Sequence, residues 1–269
     1  MDIGKHCEIA PSVSLDDVDD LVIGDYTKIR DGVILDGNKI HFGRACLVAR
    51  GVTIGGGRAE LGSFECGDFA YIGDNSMVNI ADSIVLGDEV IMGMYTMLYT
   101  HSLGLSQFEG FPNSVGSITI GNHVWLPDGT TVLPNVKIGD NVVVSAKSVV
   151  GKDLPSGCLA AGNPARVILA NEYPKPYTSA KLLEITHEIE QDAKKYGIET
   201  DSFVIDIPKF KDNKLICVCR MNVGYTEFDL INRRISGLCT TKTELFREIL
   251  RRHGVRFKYG HEKGVYVSW

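Results

Sequence analysis

The chain has 269 residues, 44% of them hydrophobic and 23% charged, and a net charge of −6. Residues 1–177 carry 12 Lys/Arg against 21 Asp/Glu and residues 178–269 carry 16 against 13, so neither half has the basicity of a nucleic-acid binder. No apolar run reaches the roughly 18 residues of a membrane-spanning helix, which leaves an ordinary soluble protein of one large domain or two smaller ones.

The opening, "MDIGKHCEIA", has neither a basic n-region nor an apolar h-region, so no signal peptide is expected and a cytoplasmic location is. The seven cysteines show no CxxC or CxxxH spacing. Buried, reduced thiols are expected, with Cys217 and Cys219 sharing one strand face. With 29 glycines and only 8% aromatic residues, the chain should contain many tight turns and little bulky core.

Aliphatic residues then recur every six positions. Ile3 and Ile9 begin the series, followed by Ile23, Ile29 and Leu35, then Phe42, Val48 and Ile54. Ile72, Val78 and Ile84 continue it, as do Leu86, Met92 and Leu98. The cleanest run is Ile120, Leu126, Val132, Ile138, Val144 and Val150, with the small or β-branched residues Val124, Thr130, Val136, Val142 and Ser148 at a fixed offset. A helix would place apolar residues three and four apart, and a lone strand would alternate them. A period of six instead predicts short parallel strands joined by tight corners. Three such strands make a triangular coil of about 18 residues, and the coils stack as in other solenoids.

Between Leu98 and Ile118 the rhythm stops. The segment "THSLGLSQFEGFPNSVGS", residues 100–117, cannot be buried by a coil and is expected to project as a loop. It contains one histidine, His101, at its start.

"NEYPKPYTS", with two prolines, reads as a linker over residues 171–178. A helix is expected from about Ser179 to Tyr196, with Leu182, Ile185, Ile189 and Tyr196 along one face. "SFVIDIP", "LICVCRM" and "YTEFDLI" (202–208, 215–221 and 225–231) read as strands. A second helix should open on a capping box from Thr241 to Glu244 and close at Gly254. "VRFKY" and "GVYVSW" should form a final hairpin. This small α+β domain, residues 179–269, shows no phosphate loop and no catalytic set. Its basic run Arg247, Arg251, Arg252 and Arg256 reads as a solvated helix face, or else as a surface for an acidic partner or a phosphate.

The six-residue period, together with the terminal "AAGNPARVI" inside residues 151–168, resembles the hexapeptide-repeat acyltransferases. Within them the galactoside, maltose, streptogramin and polysaccharide acetyltransferases are the most similar, through "IGNHVWL" after the loop. The resemblance implies a left-handed parallel β-helix over residues 1–170, although β-crossovers are right-handed in about 98% of cases. It implies acetyl-CoA as co-substrate with no metal, a homotrimer with the active site between neighbouring subunits, and His101 as catalytic base. Histidine side chains titrate near pH 6.5, which suits removal of a proton from a sugar hydroxyl near neutrality. Backbone N–H groups would stabilise the oxyanion, protonated His101 would return the proton to the thiolate, and a carbonyl or carboxylate should hold its other ring nitrogen.

The same resemblance gives Asn79 an acceptor contact, although Asn at a corner can equally serve as a left-handed turn residue. It places Trp125 beside the acetyl donor, where simple packing under the loop is the competing reading. Gly93, Asp128, Ala146 and Gly151 would line the pantetheine channel, with Asp128 standing where a small hydroxyl residue is usual. Lys152 and Arg166 would meet the phosphates of coenzyme A. The second histidine of many relatives is replaced by Ser102, Leu103 and Gly104, and the acidic residue supplied by an N-terminal helical segment is missing. The implied activity is O-acetylation of a small-molecule or lipid-linked sugar, a precursor of a polysaccharide. The alternatives are N-acetylation of an amino sugar, modification of an antibiotic, a zinc hydratase or a non-catalytic scaffold. The hydratase would need a close H-x4-H pair, which the seven histidines do not supply.

Overall fold

The computed structural model describes residues 1–56, 62–176, 178–198, 204–211, 214–221 and 224–268, the stretch 204–221 by its backbone. It divides into two units, Met1–Lys175 and Pro176–Trp269.

The first unit is a β-solenoid. Strands of two to four residues follow one another around three parallel sheets, and each strand pairs with its counterpart one coil later. The inward residue of sheet one runs Ile3, Ile23, Phe42, Cys66, Leu86, Ile120, Ile138. In sheet two it runs Ile9, Ile29, Val48, Ile72, Met92, Leu126. In sheet three it runs Leu15, Leu35, Ile54, Val78, Leu98, Val132, Val150. From the second coil on these side chains are buried and form one continuous core. Strand residues on either side of each inward one face outward, as strand geometry requires.

A second column stacks at each corner. Val124, Thr130, Val136, Val142 and Ser148, the residues at the fixed offset, are all buried. Where this column is polar, the hydroxyl turns back on the corner: Thr96 Oγ1 donates to the Gly93 carbonyl at 2.9 Å and Thr130 Oγ1 to the Pro127 carbonyl at 2.7 Å. Corner carboxylates and amides also form a ladder between coils. Asp68, Asp88, Asn122 and Asp140 each accept a hydrogen bond from the backbone N–H of the preceding coil's corner, at 2.6–2.9 Å. This ladder satisfies backbone donors that a corner leaves outside the sheets. Gly93 is needed beneath it: a Cβ there would lie 2.4 Å from Asp128 N.

The coils are not all of the 18 residues expected. Ile120 faces Ile138 eighteen residues on, whereas Leu86 faces Ile120 thirty-four residues on. All the variation lies at one place. The steps from sheet one to sheet two and from sheet two to sheet three are six residues in every coil, as in Leu86–Met92–Leu98. The third corner, from sheet three back to sheet one, takes six residues from Val132 to Ile138, eight from Val78 to Leu86 and 22 from Leu98 to Ile120. The long insertion projects, as expected. It is a hairpin based on His101–Ser102 and Ser114–Val115 around a short 3-10 turn at Gln107–Glu109, and Phe108 at its tip is fully exposed. After the last coil Leu159–Gly162 turns back antiparallel against Ala165–Leu169, a strand the repeat pattern did not foretell, and this closes sheet two.

The second unit has helix α1 (Ser179–Lys195), a four-stranded antiparallel sheet (Val204–Lys211, Lys214–Met221, Gly224–Asp229, Arg234–Gly237), helix α2 (Thr241–Arg252) and a hairpin (Tyr259–Glu262, Val265–Ser268). The strand Arg234–Gly237 was not expected, because its polar residues hide the pairing with Gly224–Asp229. Residues 202–203 of the first expected strand lie outside the described residues, as do the side chains of Cys217 and Cys219. The capping box sits one residue earlier than predicted. Thr240 is the N-cap and Thr243 its partner, since the Thr243 hydroxyl can accept from the Thr240 N–H at 2.8 Å. Helix α1 buries Ile189 and Ala193, while Tyr196 beyond its last turn is exposed beneath the Arg252 guanidinium. Two residues of the basic run are paired within the unit: Arg247 with Glu244 at 3.1 Å and Arg251 with Glu248 at 2.6 Å.

Candidate active site

The third corner collects the chemistry. His101 stands two residues after Tyr99, the last residue of sheet three in its coil, and Asn79 ends the sheet-three strand one coil earlier. The two side chains meet, with Asn79 Oδ1 2.7 Å from His101 Nδ1. Asn79 is only 5% exposed, whereas His101 is partly open to solvent. Asn79 has ordinary strand geometry and is not a left-handed turn residue. The Ala81 N–H also approaches Oδ1, at 3.5 Å. A carbonyl oxygen only accepts, so Nδ1 must carry the imidazole proton. Nε2 then presents a lone pair, and among the described residues no hydrogen bond engages it.

Thr100 secures this pair from behind. Its side chain is wholly buried, and its hydroxyl donates to the Asn79 backbone carbonyl at 2.8 Å while accepting from the Asp82 N–H at 3.0 Å. Its own carbonyl accepts from Gly116 N at 2.9 Å, which ties down the returning arm of the loop. The residue just before the base is thus fixed to the neighbouring coil and to the loop together. Sequence reasoning missed Thr100; its place next to His101 at the start of the loop was the available signal. The Asn79 Nδ2 group has no hydrogen-bond partner among the described residues and lies beside Gly56, whose hypothetical Cβ would be 3.2 Å from it.

The other expected residues lie elsewhere on the solenoid. Gly93, Asp128 and Ala146 fall on the second corner in three successive coils, and Ala146 is exposed. The Asp128 carboxylate is committed to the corner ladder, accepting from Met94 N at 2.8 Å. Trp125 stands on sheet two and is 52% exposed, so it does not pack under the loop. Gly151 and Lys152 follow sheet three in the last coil and are exposed. Arg166 is exposed on the closing hairpin, its guanidinium donating to the Ala165 carbonyl at 2.9 Å. No hydrogen bond among the described residues joins these groups to the Asn79–His101 pair.

Residues 117–152 match the family model of the bacterial transferase hexapeptide (six repeats). The matched stretch contains Trp125, Asp128, Ala146, Gly151 and Lys152 and begins after His101. YvoF of Bacillus subtilis (strain 168) is 37% identical over 91 residues, which are 34% of this chain and 50% of YvoF. The galactoside O-acetyltransferase of Escherichia coli (strain K12) is 38% identical over 96 residues, 35% of this chain and 45% of that protein. The chain spans about half the length of the curated relatives it matches. Among solved structures, a hexapeptide-repeat containing acetyltransferase from Vibrio cholerae O1 biovar eltor, complexed with acetyl coenzyme A, is 27% identical, covers 48% of this chain and 70% of its own, and has a TM-score of 0.43.

Proposed function

We propose that the solenoid unit is an acetyl-CoA-dependent acetyltransferase acting on a sugar hydroxyl, with His101 as general base. The observation that carries this reading is the 2.7 Å Asn79–His101 hydrogen bond, which leaves Nε2 as the basic nitrogen. Similarity over part of the chain to a galactoside O-acetyltransferase supports the reaction class. Acetyl-CoA supplies an acetyl group already activated as a thioester. His101 Nε2 takes the proton from the acceptor hydroxyl as its oxygen attacks the thioester carbonyl, and returns it to the coenzyme A thiolate released when the C–S bond breaks. The Asn79 carbonyl holds Nδ1–H throughout and stabilises the positive charge that the ring acquires. The Asn79 NH2, buried and without a hydrogen-bond partner among the described residues, is a donor for the acceptor oxygen. Exposed Ala146 and Trp125, with Gly93, Gly151, Lys152 and Arg166, are the residues offered to the coenzyme. Assembly as a homotrimer, with the loop of one subunit against the next, belongs to the same proposal. The exposed Leu103, Leu105, Phe108 and Phe111 on that loop give it an apolar surface suited to burial.

The test is thiol release from acetyl-CoA in the presence of hydroxyl and amino sugars, for wild type and His101→Ala. Sugar-dependent release that the substitution abolishes supports the reading. Transfer to amino groups alone would move the assignment to N-acetylation. Turnover unchanged in His101→Ala would overturn it.

A further inference from the structure

The two arms of the projecting hairpin are joined as a ladder by two residue pairs, His101 with Val115 and Ser102 with Ser114. Residues 103–113 lie beyond them. Two strands alone are marginal in water. A slip of one residue would turn every side chain of an arm to the opposite face, and the imidazole would leave Asn79.

Asn135 holds the returning arm in register. It stands three residues after Val132, as His101 stands three after Leu98, and Leu98 and Val132 pair in sheet three. Asn135 is thus on the third corner of the coil that follows the histidine. Its φ of +65° is a left-handed conformation that Asn adopts more readily than most residues. Its side chain reaches the returning arm, where Nδ2 donates to the Val115 carbonyl at 3.2 Å and to Ser114 Oγ at 3.3 Å. Its backbone N–H donates to the Gly116 carbonyl at 3.4 Å. One asparagine therefore engages three consecutive residues of the arm. A carbonyl only accepts, so the amide nitrogen belongs at Val115 and Oδ1 lies over Gly116. That position has no room for a side chain: the three atoms nearest to a Cβ on Gly116 would all belong to the Asn135 carboxamide, well inside contact distance. The Gly116 N–H in turn donates to the Thr100 carbonyl at 2.9 Å.

Residues directly opposite on two strands carry their side chains on one face, about 5 Å apart at Cβ. Val115 therefore stands beside the imidazole. Asn79 holds the ring at Nδ1 from the preceding coil, and Asn135 holds the residue across the hairpin from the following one.

We propose that Asn135 is a positioning residue for His101, acting through Val115 and the register of the hairpin. Its effect on rate rests on the acetyltransferase reading above. Without the carboxamide the returning arm samples shifted registers, and Nε2 is aimed at the acceptor for a smaller share of the time. Asn135 does this without touching substrate.

The experiment uses the full chain as wild type, Asn135→Gly, Gly116→Ala and the two combined. Glycine at 135 keeps the left-handed backbone and its N–H and removes only the carboxamide. Alanine at 116 keeps Asn135 but pushes its side chain off the arm. Thiol release from acetyl-CoA is measured with a panel of methyl pyranosides, and histidine 15N chemical shifts report the tautomer of His101. Each single variant should lower kcat about threefold to tenfold, as expected for one or two neutral hydrogen bonds. The KM for acetyl-CoA should stay as in wild type. Each should also turn the single Nδ1–H form of His101 into a mixture. The combined variant should lose no more than Asn135→Gly alone, because both changes empty the same contact. Circular dichroism should show all three folded as wild type. Wild-type kcat with an unchanged His101 signal in Asn135→Gly would overturn the assignment. So would losses that multiply, or a lower kcat with His101 still in one tautomer. If the wild type acetylates no pyranoside, the acetyltransferase reading falls, and the 15N signal alone then decides whether Asn135 positions the ring.

Discussion

The carboxamide oxygen of Asn79 holds Nδ1 of His101 at 2.7 Å, one coil away across the third corner. The bond fixes both the tautomer and the orientation of the ring, so the aim of Nε2 depends on a single amide.

His101→Ala removes the base. Proton transfer by a positioned side chain contributes about a hundredfold to ten-thousandfold, and kcat in a steady-state thiol-release assay should fall by that factor. The KM for acetyl-CoA should change little.

Asn79→Ala leaves the ring in place but free to turn and to change tautomer. A fall in kcat of about tenfold to a hundredfold is expected. Histidine 15N chemical shifts should show that the single Nδ1–H form of wild type has become a mixture. A single unchanged tautomer in the variant would refute the role given to Asn79.

Thr100→Val keeps the shape and removes the hydroxyl that joins the Asn79 carbonyl to the Asp82 N–H. It should lower kcat by about tenfold, and Thr100→Ser should recover most of the loss. Histidine 15N chemical shifts separate positioning from simple destabilisation, since only a displaced ring changes its tautomer.

Leu126→Ala opens a cavity in the middle of the stack, where Leu126 is fully buried between Met92 and Val144. Urea unfolding should show a loss of about 2–5 kcal/mol. Ala146→Ser, at an exposed corner, should leave the midpoint where it was.

In the second unit burial holds the hydroxyls of Tyr259 and Tyr266 far above the ordinary value of 10.0, with Glu244 adding to the effect. The fold keeps these protons after an unfolded chain has released them. Their stabilising contribution is therefore complete below about pH 10 and declines as pH rises beyond it. Thermal unfolding at pH 9 and pH 11 should show the decline, and Tyr266→Phe should flatten it.

The solenoid could be read from the sequence because its core is a sum of local repeats. Each coil needs one aliphatic residue per face, so Ile120 to Val150 announce the fold without any distant contact. The loop and His101 showed themselves as a break in that pattern. The Asn79–His101 contact did not, since 22 residues and a change of coil separate the two and only the register of sheet three brings them together. Thr100 was hidden among the small β-branched residues that fill corners everywhere. The strand Arg234–Gly237 went unseen for the opposite reason, since its partner and not its own pattern makes it a strand.

Because two corners keep a fixed step and only the third stretches, the solenoid behaves like a keyed rail with a single open edge. Loops could be exchanged along that edge, at residues 103–113 for instance, while every pairing between coils stayed as it is. A library of substrate preferences could then be grafted onto one unchanged backbone, and each graft would emerge beside the same histidine.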